Sequence, residues 1–177
     1  IIDELVGDKR RIVLLGKSDL ADSEETEKWQ RYFSRKGDKT LAIGARSGEN
    51  INCLFSILDD VQREKNQQRQ MNRSIRMMVV GVPNVGKSSL INRLIGKKSA
   101  KTGDKAGVTR GKQWVTLKNG MQLLDTPGIL WPKFEDQRVG LYLAFCGSIR
   151  DEILDTQDLA FDLIKVLEKR YPESLLN

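Results

Sequence analysis

The run Gly81-Val82-Pro83-Asn84-Val85-Gly86-Lys87-Ser88 has the spacing G-x-x-x-x-G-K-[ST], between an apolar strand pattern at 75–80 and a helical pattern opening at Ser88. Its chemistry is phosphate binding. Glycines let backbone N–H groups turn inward around a β-phosphate, and the helix N-terminus adds partial positive charge. Lys87 can bridge β- and γ-phosphate oxygens, and the Ser88 hydroxyl can ligate Mg²⁺. Asn84, Val85, Gly86 and Ser89 complete the predicted contacts of this loop with a nucleotide.

Asp125-Thr126-Pro127-Gly128 follows the apolar segment 121–124, which puts an acid at a strand end where it can hold Mg²⁺ through water. The Gly128 N–H would then lie near a γ-phosphate. Alone, Asp-x-x-Gly is equally a simple turn; downstream of a phosphate loop it is a strong signal. Thr109, inside Gly107-Val108-Thr109-Arg110-Gly111, lies between the two motifs, where a switch loop would bring a hydroxyl to the same metal ion. The alternative there is a glycine-rich surface loop. Lys87, Thr109 and Gly128 are the candidate catalytic residues, and Ser88, Thr109 and Asp125 the candidate Mg²⁺ ligands.

A phosphate loop does not choose between adenine and guanine. Lys17-Ser18-Asp19 follows the apolar run 11–15, and an aspartate there can accept hydrogen bonds from guanine N1–H and its N2 amine. Lys17 would lay its methylenes across the base. Gly44-Ala45-Arg46 follows a second run, 40–43, and could offer the Ala45 N–H to guanine O6, with Arg46 beside it.

These motifs need strands ending at one edge of a sheet, and the patterning supplies them. Strand patterns fall at 11–15, 40–43, 75–80, 113–117 and 121–124, the last two joined by a tight Asn119-Gly120 turn. Helical patterns fall at 22–36, where Trp29, Tyr32 and Phe33 share a face, then from 51 into the polar stretch 62–73, and at 88–94, 136–146 and 156–170. Alternating strands and helices predict an α/β layered domain.

Composition removes other chemistries. Among 177 residues, 39% apolar, there is no histidine, which excludes a Ser-His-Asp or Cys-His unit within this chain and any zinc site needing imidazole. Cys53 and Cys146 are expected to pack as small buried hydrophobes. No apolar run approaches the roughly 18 residues of a membrane span, and that of Met77 to Val80 is only strand length. The +6 charge is a mid-chain feature: residues 97–112 carry Lys97, Lys98, Lys101, Lys105, Arg110 and Lys112 against Asp104 alone. That is the footprint of a nucleic acid or another polyanion, or of a solvated loop. No aromatic residue interrupts the run, so base stacking from within it is not expected.

On these motifs the chain resembles the translation-factor class of small GTPases, whose base motifs are Asn-Lys-x-Asp and Ser-Ala-Lys. Both precede the phosphate loop here, the order of circularly permuted GTPases. Pro-Asn-Val-Gly-Lys-Ser-Ser (83–89), Gly-Val-Thr-Arg-Gly (107–111) and Asp-Thr-Pro-Gly-Ile-Leu-Trp-Pro (125–132) are similar to the YlqF/RbgA group, which assists late assembly of the large ribosomal subunit. The resemblance implies a Ras-like P-loop GTPase fold with a mostly parallel sheet flanked by helices. It also implies a GTP substrate, Mg²⁺, a pre-ribosomal RNA partner, no membrane, a monomer, and a cytoplasmic location, or the mitochondrial matrix in a eukaryotic relative. Three other readings stay open: a nucleotide-dependent scaffold with little turnover, a GTPase acting on the small subunit, and an acidic protein as partner of the basic loop.

The departures carry expectations too. Gly16 and Gly44 stand where the family has Asn and Ser, and Arg46 where it has Lys. Without the Asn, weakened nucleotide affinity is expected, with Gly16→Asn restoring it. Ile129 stands where many GTPases orient water with glutamine, which implies slow intrinsic turnover stimulated by a ribosome or RNA. Asn84 matches the position that helps hold K⁺ in potassium-stimulated relatives; a loop-bracing amide is the alternative. The expected organisation is a GTPase core at 1–132, with a base-reading half (1–56), a polar helix and linker (57–74) and a phosphate and switch half (75–132). Residues 133–177 would begin a helical extension. The opening Ile1-Ile2-Asp3-Glu4 is expected to be interior to a longer chain, with a sixth strand and the family's candidate catalytic histidine upstream.

Overall fold

The computed structural model describes residues 6–7, 9–69, 74–96, 113–117, 119–128, 136–149 and 155–175. The elements are β1 (Ile12–Gly16), α1 (Ser23–Arg35), β2 (Lys39–Ile43), α2 (Ile51–Arg69), β3 (Arg76–Val79), α3 (Lys87–Ile95), β4 (Gln113–Thr116), β5 (Gln122–Asp125), α4 (Gln137–Phe145) and α5 (Thr156–Arg170). Each predicted strand and helix is present, within a residue or two at most of its boundaries.

The strands form two sheets among the described residues, rather than one: β1 pairs β2 in parallel, and β5 lies between parallel β3 and antiparallel β4. The interruption falls between β1–β2 and β3–β5–β4. The two parallel pairs and the single antiparallel edge give the α/β architecture that the alternating pattern predicts, with the mostly parallel pairing that the resemblance implies. Closing the hairpin of β4 and β5, Leu117 N donates to Met121 O at 2.8 Å and Gly120 N to Leu117 O at 3.0 Å, with Gly120 at φ 79°. Only glycine adopts that conformation without strain.

Among the described residues one cluster of buried side chains joins the elements on either side of the phosphate loop. Ile43 from β2, Ile51, Leu54 and Leu58 from α2, Leu90, Ile91 and Leu94 from α3, and Met121 and Leu123 beside or within β5 are buried together. Spacing explains the membership, since 51, 54 and 58 share one face of a 3.6-residue helix. Cys53 falls between those positions and points to solvent, and Cys146 is the exposed residue capping the C-terminus of α4. Both cysteines are therefore surface thiols, contrary to the composition argument. On α1 the predicted aromatic face exists: Trp29 stacks on Phe33 and meets Tyr32 edge-on. Yet Trp29 and Tyr32 remain largely exposed, and no α1 residue is fully buried. The helix starts where Asp22 accepts from Glu24 N and Glu25 N.

Across the start of β1 and β2, Arg11 donates to Asp38 through Nε (2.8 Å) and a terminal nitrogen (2.7 Å), a fork-to-fork pair. The guanidinium holds the Asp38 carboxyl below its ordinary value of 3.8, chiefly by hydrogen bonding. A folded-state value below the unfolded one adds stability above the ordinary carboxylate range, and that stability is lost as pH falls through the lowered value. Asp38→Asn is expected to cost about 1 kcal/mol at neutral pH, and the gap from the parent should close on acidification. Urea midpoints measured along a pH series check both statements.

Candidate phosphate and base site

Three segments converge on the loop between β3 and α3. Gly86, at φ 106°, caps the start of α3, and Asn84 stands in the left-handed region at φ 55°. Such a turn aims successive N–H groups into one concavity at a helix N-terminus. Lys87 opens the helix and is 9% exposed; its Nζ donates to Gly81 O (2.9 Å) and Val82 O (2.8 Å). The ammonium therefore lies folded against the loop it would cradle a phosphate with. Burial draws its pKa below the ordinary lysine value, and the neighbouring Asp125 works against that.

Asp125 ends β5 directly beside Val79 of β3 and is 4% exposed. Its Oδ1 takes no hydrogen bond from the described residues, although the carboxylate has other interactions. The next residue fixes the chain there: Thr126 Oγ1 donates to Val79 O at 2.6 Å, clamping the ends of β3 and β5. A buried carboxylate at this point, with the Ser88 hydroxyl on the first turn of α3, is a donor set of hard oxygens that fits Mg²⁺. Gly128 completes the approach. A Cβ there would lie 2.6 Å from the Pro83 backbone, so only glycine lets this segment reach the phosphate loop.

A further brace comes from the end of α4, which no motif marked. Asn84 Nδ2 donates to Gly147 O (2.7 Å), and Ser148, 1% exposed, donates from Oγ to Pro83 O (2.8 Å). The amide nitrogen of Asn84 thus braces the loop. Sequence spacing held no signal for Ser148, because the contact spans 65 positions.

The base motifs sit at the ends of β1 and β2. Lys17 adopts φ 59° ahead of the short helical turn Ser18–Leu20, and both Lys17 and Asp19 are exposed. Ala45 is half-buried and Arg46 exposed, in a turn closed by Gly48 N donating to Gly44 O at 2.8 Å. Gly16 joins this half to the other: a Cβ there would lie 2.8 Å from Val85 O. That distance bears on Gly16→Asn, because the Cβ of an asparagine would meet the phosphate-loop backbone unless one of the two segments shifted. The space that an asparagine would use is taken by the phosphate-loop backbone, so the glycine is matched to this packing. Thr109, the basic residues Lys97, Lys98, Lys101, Lys105, Arg110 and Lys112, and Ile129 lie outside the described residues.

A glycine loop between a parallel strand and a helix, a buried aspartate on the neighbouring strand, and base-type motifs placed earlier in the chain define a P-loop nucleotide-binding domain of permuted order. The chain belongs to the 50S ribosome-binding GTPases, whose family model matches residues 76–174. It is 45% identical to ribosome biogenesis GTPase A of Bacillus pumilus over 179 residues, covering 99% of this chain and 64% of that protein. Against the same-named protein of Priestia megaterium the identity is 48%, covering 99% and 62%. The crystal structure of GNP-bound YlqF from T. maritima matches with a TM-score of 0.60 at 30% identity, covering 89% of this chain and 58% of that one. The chain thus spans about three-fifths of the length of these relatives.

Gly16→Ala tests the packing at Val85. It is expected to weaken nucleotide binding severalfold with the fold retained, and Gly16→Asn should give no gain over the parent; calorimetric titration of both variants checks this.

Proposed function

We propose that this chain is a GTP-binding and GTP-hydrolysing switch that assists late assembly of the large ribosomal subunit. The observation that carries the proposal is the convergence of Lys87, Ser88 and the buried Asp125 at the paired ends of β3 and β5. In this reading the Gly81–Ser88 backbone holds the β-phosphate, and Lys87 leaves the Gly81 and Val82 carbonyls to neutralise β- and γ-oxygens. Its low exposure strengthens that interaction by excluding water. Ser88, Asp125 and Thr109 would hold Mg²⁺, which would supply positive charge to offset that developing on the transferred phosphoryl group. The Gly128 N–H faces the γ-phosphate. Asp19 reads the guanine edge, Lys17 covers the ring, and the Ala45 N–H meets O6 with Arg46 alongside.

Turnover is slow in the isolated chain and rises on a ribosomal or RNA partner, because Ile129 cannot orient water. Asn84 would help hold K⁺, with its side-chain nitrogen bonded to Gly147 O. GTP orders the basic 97–112 loop and the segment after Asp125, and hydrolysis releases them, so affinity for pre-ribosomal RNA follows the nucleotide. Residues 1–132 form the GTPase core and 133–177 a C-terminal helical part; the protein works as a monomer in the cytoplasm. Among the described residues no helix is long and apolar enough to cross a membrane.

Titration with GDP, a GTP analogue and ADP tests the core of this reading: guanine nucleotides bind tightly and ADP only weakly. Lys87→Ala should lower GTP-analogue affinity about a hundredfold, in keeping with the loss of charge-assisted bonds to phosphate. Phosphate release that stays flat on adding large subunits, or is equal in Na⁺ and K⁺, removes the stimulated-hydrolysis and potassium steps respectively. RNA binding should fall steeply with salt when the analogue is bound, and be lost with GDP.

A further inference from the structure

The two base-reading loops leave the paired ends of β1 and β2, and a side-chain bond joins them beyond that ladder. Ser18, between Lys17 and Asp19, donates from Oγ to Glu49 Oε2 at 2.6 Å, across to the turn that carries Ala45 and Arg46. Glu49 is built into that turn at both ends. Its carbonyl accepts from Gly44 N at 3.3 Å, and its own N–H donates to Ser47 Oγ, also at 3.3 Å. The absence of a side chain at position 44 is what admits this arrangement: a Cβ there would lie 2.2 Å from Ser47 Oγ and 3.1 Å from Glu49 Cβ.

The far side of the same turn is tied to the phosphate half. Arg93, two turns into the helix that opens at Lys87, donates to Arg46 O at 2.9 Å. Gly48 makes room for it, since a Cβ there would lie 2.7 Å from the guanidinium. Asp19, Ala45 and Lys87 are thus linked through the bond from Ser18 Oγ to Glu49 and the bond from the Arg93 guanidinium to Arg46 O. A base reader needs this, because guanine recognition depends on an acceptor from one loop and a backbone donor from another meeting a single ring edge.

We propose that Glu49 is a positioning residue for purine discrimination, holding the Asp19 loop in register with the Ala45 turn, with Arg93 as the second tie from that turn to the phosphate-loop helix. The proposal rests on the guanine reading above. Glu49 need not touch the nucleotide; it sets where Asp19 stands.

The test compares GDP and ADP affinities by titration for the parent chain, Glu49→Ala, Glu49→Gln, Ser18→Ala, Arg93→Ala and the Ser18→Ala/Glu49→Ala pair, with melting curves as the folding control. Glu49→Ala should lower GDP affinity about fivefold and leave weak ADP binding unchanged, a loss on the scale of one surface hydrogen bond to a charged acceptor. Glu49→Gln keeps an acceptor oxygen and should recover most of the loss. Ser18→Ala should match Glu49→Ala, and the double variant should lose no more than either single one. Arg93→Ala should also reduce GDP affinity selectively. If the parent prefers GDP but Glu49→Ala and Ser18→Ala leave the GDP-to-ADP ratio unchanged, or if GDP and ADP weaken together, the assignment of Glu49 is overturned while the guanine reading stands. A parent chain that does not prefer GDP overturns the guanine reading, and the role of Glu49 with it.

Discussion

The close approach of backbone to backbone around Pro83–Val85 is the constraint on which the rest of this structure depends. Gly16 from the end of β1 meets Val85 O, and Gly128 from beyond β5 meets the Pro83 backbone. Either position would need a shift of main chain to accept a Cβ. Two parallel strand pairs that share no ladder among the described residues thus meet through the core that Ile43 and Leu123 share as well as at this loop. The ends of β1, β3 and β5 are positioned relative to one another through it, and the base and phosphate motifs lie at those ends.

That packing sets the electrostatics. Lys87 and Asp125 are both nearly buried, on chain segments that Thr126 pins by its bond to Val79 O. Opposite charges in a region of reduced water interact more strongly than on a surface, and each also loses hydration. The structure meets the cost for lysine with two carbonyls, Gly81 O and Val82 O. Both acceptors belong to the same loop, so an ammonium that exchanges them for phosphate oxygens moves only locally. A low-dielectric site with its cation held close by is the arrangement that electrostatic stabilisation of phosphoryl transfer requires.

What was legible in the sequence follows from what is local. Strands such as Arg76–Val79 and helices such as Ile51–Arg69 declare themselves by apolar period, and the phosphate loop by a spacing that one turn of backbone dictates. Contacts between segments far apart in the chain leave no period. Ser148 on Pro83 O and Arg93 on Arg46 O span 65 and 47 positions, and neither residue is of a type that singles it out. The cysteines were misread because a residue's average preference for burial says nothing about its phase on a helix; Cys53 lies off the 51–54–58 stripe. The packing role of Gly16 is hidden for a related reason: it lies in Val85 O, which is 69 positions away in the chain and adjacent only in the fold.

The end of α4 shows how the C-terminal helices are joined to the site. Asn84 holds a left-handed backbone conformation, which asparagine tolerates better than most side chains but still at some cost. Its carboxamide offsets that cost by donating to Gly147 O, and Gly147 itself stands at φ 67° to present that carbonyl. One position on, the buried Ser148 hydroxyl takes up Pro83 O, a carbonyl that proline's missing N–H cannot help to order. Two consecutive residues of the phosphate loop are thus bonded to two consecutive residues after α4. The two bonds are short and one is fully buried, so displacing this loop by even an ångström breaks them and leaves a buried hydroxyl without its acceptor. The geometry of Pro83 and Asn84 and the placement of the residues that follow α4 are therefore a single structural variable.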